Sequence, residues 1–299
     1  MQGSDMRYDA VFFDLYGTLV DIRTDESCDT AWRALSDALR EARGDGRFDD
    51  DLGALRQAFD AAAAPIRVAA TAAHGEWAEP DLLPAYAALL DDPVSSPVAL
   101  SVTSSSDVAL SSDTAPPSQP SSSTTTIASP LPPTHTMASS RTLAVAHTLA
   151  WTFRRASTQL LHTYAGAIEL LHTLRSRGLR VVLVSNAQAC YTRPELDLLG
   201  LADAFDRIVI SSEEGVRKPS PELFRRAMER EGLQPSQVVM IGNDERSDIL
   251  GARSAGIDGI YLRTAISPAD DPAVSEHAVR SFAGADYAGI LRFLGLQQP

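Results

Sequence analysis

Asp14 stands where a short apolar run ends, just ahead of Gly17, in the segment Val11–Asp21 (VFFDLYGTLVD). A carboxylate carried at the end of a buried strand projects from a rigid base, which suits a nucleophile. Read alone, the segment also fits an aspartate that merely caps a turn. Three later segments carry further reactive or polar groups: Ser185 in Val182–Ala187 (VLVSNA), Lys218 in Arg217–Phe224 (RKPSPELF), and Asp244 with Asp248 in Met240–Ala252 (MIGNDERSDILGA). A serine hydroxyl after a strand, with its neighbouring backbone N–H groups, can bind phosphoryl oxygens, although serine there more often forms a turn. Lys218 is singular, because 25 of the 26 basic residues are arginine and it is the one lysine. An exposed cation would tolerate arginine, whereas a compact ammonium fitted between carboxylates and a phosphoryl group would not, since the guanidinium fork is larger and planar.

These groups need a scaffold that gathers them. Five apolar runs rich in Val, Ile and Phe predict buried parallel strands at Ala10–Phe13, Val181–Val184, Ile208–Ile210, Val238–Ile241 and Ile257–Leu262. Helical patterns separate most of them. Ala165–Arg177 places Ile168, Leu171 and Leu174 on one face, and Ser220 caps Pro221–Glu231 with proline first and Glu222 in the first turn. Alternation of this kind predicts an α/β fold, a doubly wound parallel sheet with ligands beyond the carboxyl ends of its strands.

Between the first strand and the rest the sequence changes character. Helical patterns at Cys28–Arg43, Asp50–Thr71, Pro80–Leu90 and Arg141–Leu161 predict an inserted helical unit over the first strand's end. Inside it, 30 of the 48 residues at 93–140 are Ser, Thr or Pro, a composition expected to form a disordered loop. The expected organisation is a core of 1–21 and 162–299 with an insertion of 22–161.

The four segments, in order at strand ends, resemble the four motifs of the haloacid dehalogenase-like (HAD) superfamily, with the insertion in the place of that superfamily's C1 cap. The resemblance implies a Rossmann-like core and a phosphohydrolase acting on a small phosphorylated substrate through an aspartyl phosphate. It implies Asp14 as nucleophile, Thr18 as its positioner, Lys218 as the charge-neutralising cation, and Ser185 and Asn186 as substrate ligands. It also implies Mg2+ held by Asp14, the Tyr16 backbone carbonyl and Asp244, with Asp248 in the surrounding shell holding a water or Lys218. Phosphoryl transfer to a carboxylate brings two anions together, so fixed positive charge around the moving oxygens is needed. The lone lysine falls on the motif position against odds of about one in 26.

Two positions depart from the pattern. Most phosphatases of the superfamily carry an acid/base aspartate where this chain has Tyr16, and a phenol with a pKa of about 10 is a poor base for activating water. Slow turnover, an activated substrate, or another acid such as Glu213 or Glu214 would each answer this. Tyrosine there also occurs in 2-haloacid dehalogenases, which need no metal, and a binding or regulatory protein with a degraded site is a further alternative. Asn243 replaces the first aspartate of many phosphatases, which leaves Asp244 or Asp248 as the direct ligand. The surviving carboxylates favour the metal-dependent reading.

Composition narrows the partners. A net charge of −13 repels nucleic acid and anionic lipid, and the sequence has no basic cluster to offset it. No run of about 18 apolar residues suggests a membrane span, and Met1–Tyr8 lacks the pattern of a secretory signal. Two cysteines far apart, Cys28 and Cys190, suit a reducing compartment, so a cytoplasmic protein is expected. His74, Trp77 and Tyr86 are candidates for lining a substrate pocket, with core or surface roles as the alternative.

Overall fold

A computed structural model describes residues 7–91 and 139–296. Strand β1 (Ala10–Phe13) lies at the centre of a six-stranded sheet, between β4 (Arg180–Ser185) and β6 (Val238–Gly242). Beyond them stand β5 (Arg207–Ile210) on one side and β7 (Asp258–Arg263) and β8 (Arg280–Ala283) on the other, in the order β5-β4-β1-β6-β7-β8. Every adjacent pair is parallel. All four residues of β1 are fully buried. Val11 and Phe13 join an apolar cluster on one face with Val181 and Leu183, while Ala10 and Phe12 join another on the opposite face with Val182 and Val184. Burial on both faces is why these strands read as unbroken apolar runs. Each large side chain so buried contributes roughly 2 kcal/mol, an upper estimate.

Helices α5 (Ala167–Ser176) and α10 (Tyr287–Phe293) pack on the first face, and α8 (Pro221–Glu231) on the second. The sheet is therefore doubly wound, as its sequence pattern predicts. Strand β8, with its half-buried and exposed residues, carries no apolar run and has no counterpart among the five predicted strands.

The chain leaves the core through β2 (Val20–Thr24) and returns through β3 (Thr158–Thr163), which pair antiparallel. The helical pattern predicted to run on to Leu161 therefore ends earlier, because Thr158–Leu161 are drawn into this ladder. Between the two strands lie α1 (Asp29–Arg43), α2 (Leu52–His74), α3 (Leu83–Ala88) and α4 (Ser140–Ser157). Their apolar faces form a third cluster around Leu35, Phe59, Tyr86 and Phe153, joined by Cys190 and Tyr191 from α6 (Ala189–Leu198) of the core. The Ser/Thr/Pro-rich loop expected at 93–140 lies outside the described residues, apart from Ser139, which caps α4 through Thr142, and Ser140. No helix among the described residues is long and apolar enough to cross a membrane.

The turn after β1 is tied down from two sides. Thr264 Oγ1 donates to the Gly17 carbonyl at 2.7 Å, and Tyr287 Oη donates to the Thr18 carbonyl at 2.7 Å. Tyr287→Phe would leave the Thr18 carbonyl, in a fully buried residue, without that donor. A stability loss of about 1 kcal/mol is expected; an unchanged urea midpoint would show that this bond is not what holds the turn.

Candidate active site

The β1 ladder continues one step past the strand, with Asp14 N–H donating to the Ile241 carbonyl at 3.0 Å, so the Asp14 side chain emerges from the middle of the sheet. Gly17 turns the chain with φ of 88°, and a Cβ there would lie 2.2 Å from the Asn243 amide nitrogen. Glycine is thus required twice over, for the backbone and for the packing of Asn243. The Thr18 hydroxyl lies 3.5 Å from Asp14 Oδ2 and 3.3 Å from Asn243 Oδ1.

Lys218 precedes α8 and is 2% exposed. Its Nζ donates to Asp14 Oδ1 at 2.7 Å and to Asp248 Oδ1 at 2.6 Å. Burial alone would lower its pKa, but the charges of Asp14 and Asp248 overcome that effect and hold it above the ordinary value. The lysine backbone is fixed by Asn186, whose Oδ1 accepts from Lys218 N–H at 2.8 Å and whose Nδ2 donates to the Lys218 carbonyl at 3.0 Å. The Asn186 amide, expected to bind substrate, is thus engaged in positioning Lys218.

After β6 the chain makes a turn of π-helix, Glu245–Leu250, which presents the two remaining carboxylates. Asp244 caps it, accepting from Ser247 N–H at 2.7 Å and from Ser247 Oγ at 3.0 Å. Asp248 is buried, and its second oxygen accepts from Asp244 N–H at 3.0 Å. Burial pushes the Asp248 carboxyl up to about 7, with the Lys218 ammonium opposing and the Asp14 charge adding. The approach depends on Gly242, where a Cβ would meet Asp248 Oδ2 at 2.2 Å.

Asp14, Lys218, Asp244 and Asp248 open together on a hollow of about 200 Å³, with Tyr16, Asn186, Asn243, Ser247, Ile266 and Pro268 completing its lining. The structure thus gathers four of the eight residues singled out by sequence around one space, with Tyr16 and Asn186 on its wall. Thr18 stands behind Asp14. Ser185, at the end of β4, is fully buried one residue before Asn186, and its hydroxyl has no hydrogen-bond partner among the described residues.

Residues 132–256 match the family of haloacid dehalogenase-like hydrolases. The chain is 31% identical over 128 residues to a glyceraldehyde 3-phosphate phosphatase of Methanothermobacter thermautotrophicus, a match covering 43% of this chain and 57% of that protein. With a phosphoserine phosphatase of Thermus thermophilus it shares 36% identity over 110 residues, 37% of this chain and 44% of the relative. The chain thus spans about half the length of these curated relatives. A 2-haloacid dehalogenase from Pseudomonas syringae pv. tomato DC3000 shares the fold, with a TM-score of 0.53 at 16% identity over 96% of this chain and 98% of the other.

What Tyr16 does is visible only in three dimensions. Its hydroxyl donates to Glu195 Oε2 and lies 2.9 Å from Thr192 Oγ1, both on α6. Burial, then the charge of Glu195, raises the phenol pKa well above its ordinary value, so it stays protonated near neutrality. Glu195 is fully buried and its other oxygen accepts from Arg154 Nε at 2.6 Å, while Arg154 Nη1 donates to Glu26 Oε1 at 2.9 Å. Sequence reasoning missed this chain of groups. Its one signal was the i, i+4 spacing of Tyr191 and Glu195, which puts a carboxylate on the buried face of α6.

The alternatives for the missing acid are otherwise engaged. Glu213 is paired with Arg193 at 2.6 Å, and Glu214 is paired with Arg230. Neither lines the hollow. Nor do the residues suggested for a substrate pocket: His74 lies against Gly215, Trp77 stacks with the Arg246 guanidinium 5.2 Å from its ring centre, and Tyr86 is buried in the helical cluster.

Glu195→Gln would leave the buried Arg154 guanidinium with a neutral neighbour and only the half-exposed Glu26 as counter-ion. A loss of roughly 3 kcal/mol in unfolding free energy is expected. A denaturation midpoint like the parent's would remove the pair from any account of stability.

Proposed function

We propose that this chain is a phosphohydrolase for a small phosphomonoester, with Asp14 as nucleophile and Mg2+ as cofactor. The observation that carries the reading is the buried Lys218 ammonium held between Asp14 and Asp248 in the lining of the hollow. It fixes one oxygen of Asp14 and leaves Oδ2 beside the Thr18 hydroxyl.

The residues fit a hard divalent cation. Three carboxylates line the hollow against one ammonium, a negative excess that would repel a phosphate dianion unless a cation offsets it. The lining donors are oxygens, with no His or Cys among them. Among the described residues no group of three or more His, Cys, Asp or Glu is drawn close enough to form a cage by itself. Magnesium takes one or two protein carboxylates and completes its shell with water and substrate oxygens. Asp14, the Tyr16 carbonyl and Asp244 would hold it, with Asp248 retaining Lys218. Bound there, the ion would neutralise phosphoryl charge.

In the first step an Asp14 oxygen bonds to phosphorus and the ester P–O bond breaks, giving an aspartyl phosphate. The leaving oxygen takes its proton from solvent, because the Tyr16 hydroxyl is committed to Glu195. Water then attacks the intermediate, releasing phosphate and restoring Asp14. Lys218 offsets the charge gathered on the transferring group. The helices within 22–161 form a cap docked on α6 of a core made by 1–21 and 162–299. The two free cysteines, Cys28 and Cys190, accord with a cytoplasmic setting.

A 2-haloacid dehalogenase reading rests on Tyr16. It is disfavoured by the same charge balance, since a carboxylate substrate would face three carboxylates with the one ammonium already doubly paired.

The purified protein should hydrolyse an aryl phosphate with Mg2+, lose activity to a chelator, recover it on adding the ion, and release no halide from 2-chloropropionate; halide release without metal would reverse the assignment. Asp14→Asn should be inactive. Lys218→Arg should lower kcat/KM by at least about 100-fold, because the guanidinium cannot occupy the space between two carboxylates; wild-type rates would show that the lone lysine has no part in the reaction.

A further inference from the structure

The four-motif pattern accounts for the charged side of the hollow and leaves its apolar side unexplained. That side consists of Ile266 and Pro268, both in the loop that leaves β7. No described residue of the insertion between β2 and β3 reaches the lining.

The loop is not loosely placed. Thr264 ties it to the Gly17 carbonyl at 2.7 Å, within the turn that carries Asp14. Farther along, Asp271 accepts from Glu245 N–H at 2.7 Å, and Ser275 Oγ donates to Glu245 Oε1 at 2.9 Å, so it is also fastened to the turn carrying Asp244 and Asp248. Thr264, Ser267 and Ser275 are buried, whereas Ile266 is 37% exposed. A buried frame thus holds an apolar side chain at the edge of the reaction space, a placement that hydrophobic collapse alone would not produce.

We propose that Ile266 and Pro268 are the specificity-determining residues of this site. On the phosphohydrolase reading, from which this inference proceeds, they contact the alcohol part of the substrate. A phosphoryl group bound against Asp14 and Lys218 leaves the alcohol part to run along this wall, the apolar side of the lining. Its chemistry follows from the lining. A carboxylate there would meet the acidic residues with no uncommitted cation in the lining, while an uncharged, partly apolar group buries surface against Ile266 and Pro268. The substrate class is a phosphomonoester with an uncharged alcohol portion.

The test compares kcat/KM for phenyl phosphate and phosphoglycolate, both with Mg2+, in the parent, Ile266→Ser, Ile266→Arg and Pro268→Ala. The parent should prefer phenyl phosphate. Ile266→Ser and Pro268→Ala should each lower that preference about tenfold, chiefly through KM, and Ile266→Arg should shift the ratio toward phosphoglycolate by at least as much. Because both side chains are exposed, the variants should melt with the parent. An active parent whose substrate ratio is the same in all three variants overturns this inference alone. A parent inert on both esters overturns the phosphohydrolase reading and this inference with it.

Discussion

A buried ammonium needs counter-charge at once, and that need organises this molecule. Stripped of water without a partner, Lys218 would cost several kcal/mol. Asp14 and Asp248 remove that cost at 2.7 and 2.6 Å. The two carboxylates come from the ends of different strands, and the lysine comes from the approach to α8. Only a sheet in which β1 lies directly beside β6 brings those ends to one place. The strand order is therefore part of the chemistry: a different neighbour for β1 would leave the lysine half paired.

The glycines express the same constraint in steric terms. Asp248 and Asn243 approach the backbone so closely that a Cβ at Gly242 or Gly17 would occupy their space. These two positions are fixed by what neighbouring side chains require, which is why the segments around them read so clearly as motifs.

Much of the core was legible in the sequence because its strands are buried on both faces and carry uninterrupted apolar runs. Where that condition fails, legibility fails. Strands β2, β3 and β8 expose many of their residues, and the helical periodicity around Trp151 and Phe153 concealed the change to a strand at Thr158. The helices of the insertion were legible from their faces, but not the fact that they dock through Cys190 and Tyr191, because nothing local records which surface a helix covers. Within the site, the residues at strand ends were legible as a set. The bonds from both ends of the Asn186 amide to the Lys218 backbone were not legible, since they join residues 32 positions apart.

Tyr16 shows how far one departure from a pattern propagates. A phenol in place of a carboxylate brings a hydroxyl that must be satisfied when buried. Glu195, 179 positions away, accepts a hydrogen bond from it, and a buried carboxylate in turn needs a cation. Arg154 supplies it from the helix that returns from the insertion, and reaches on to Glu26 where the insertion begins. Tyr16 thereby anchors the loop after β1 to the core helix α6 and to both ends of the inserted helices. A group so committed cannot also exchange protons with a substrate. Asp14, Lys218 and the two carboxylates after β6 line the hollow, and among the described residues the insertion is joined to it through this anchor and supplies none of the lining.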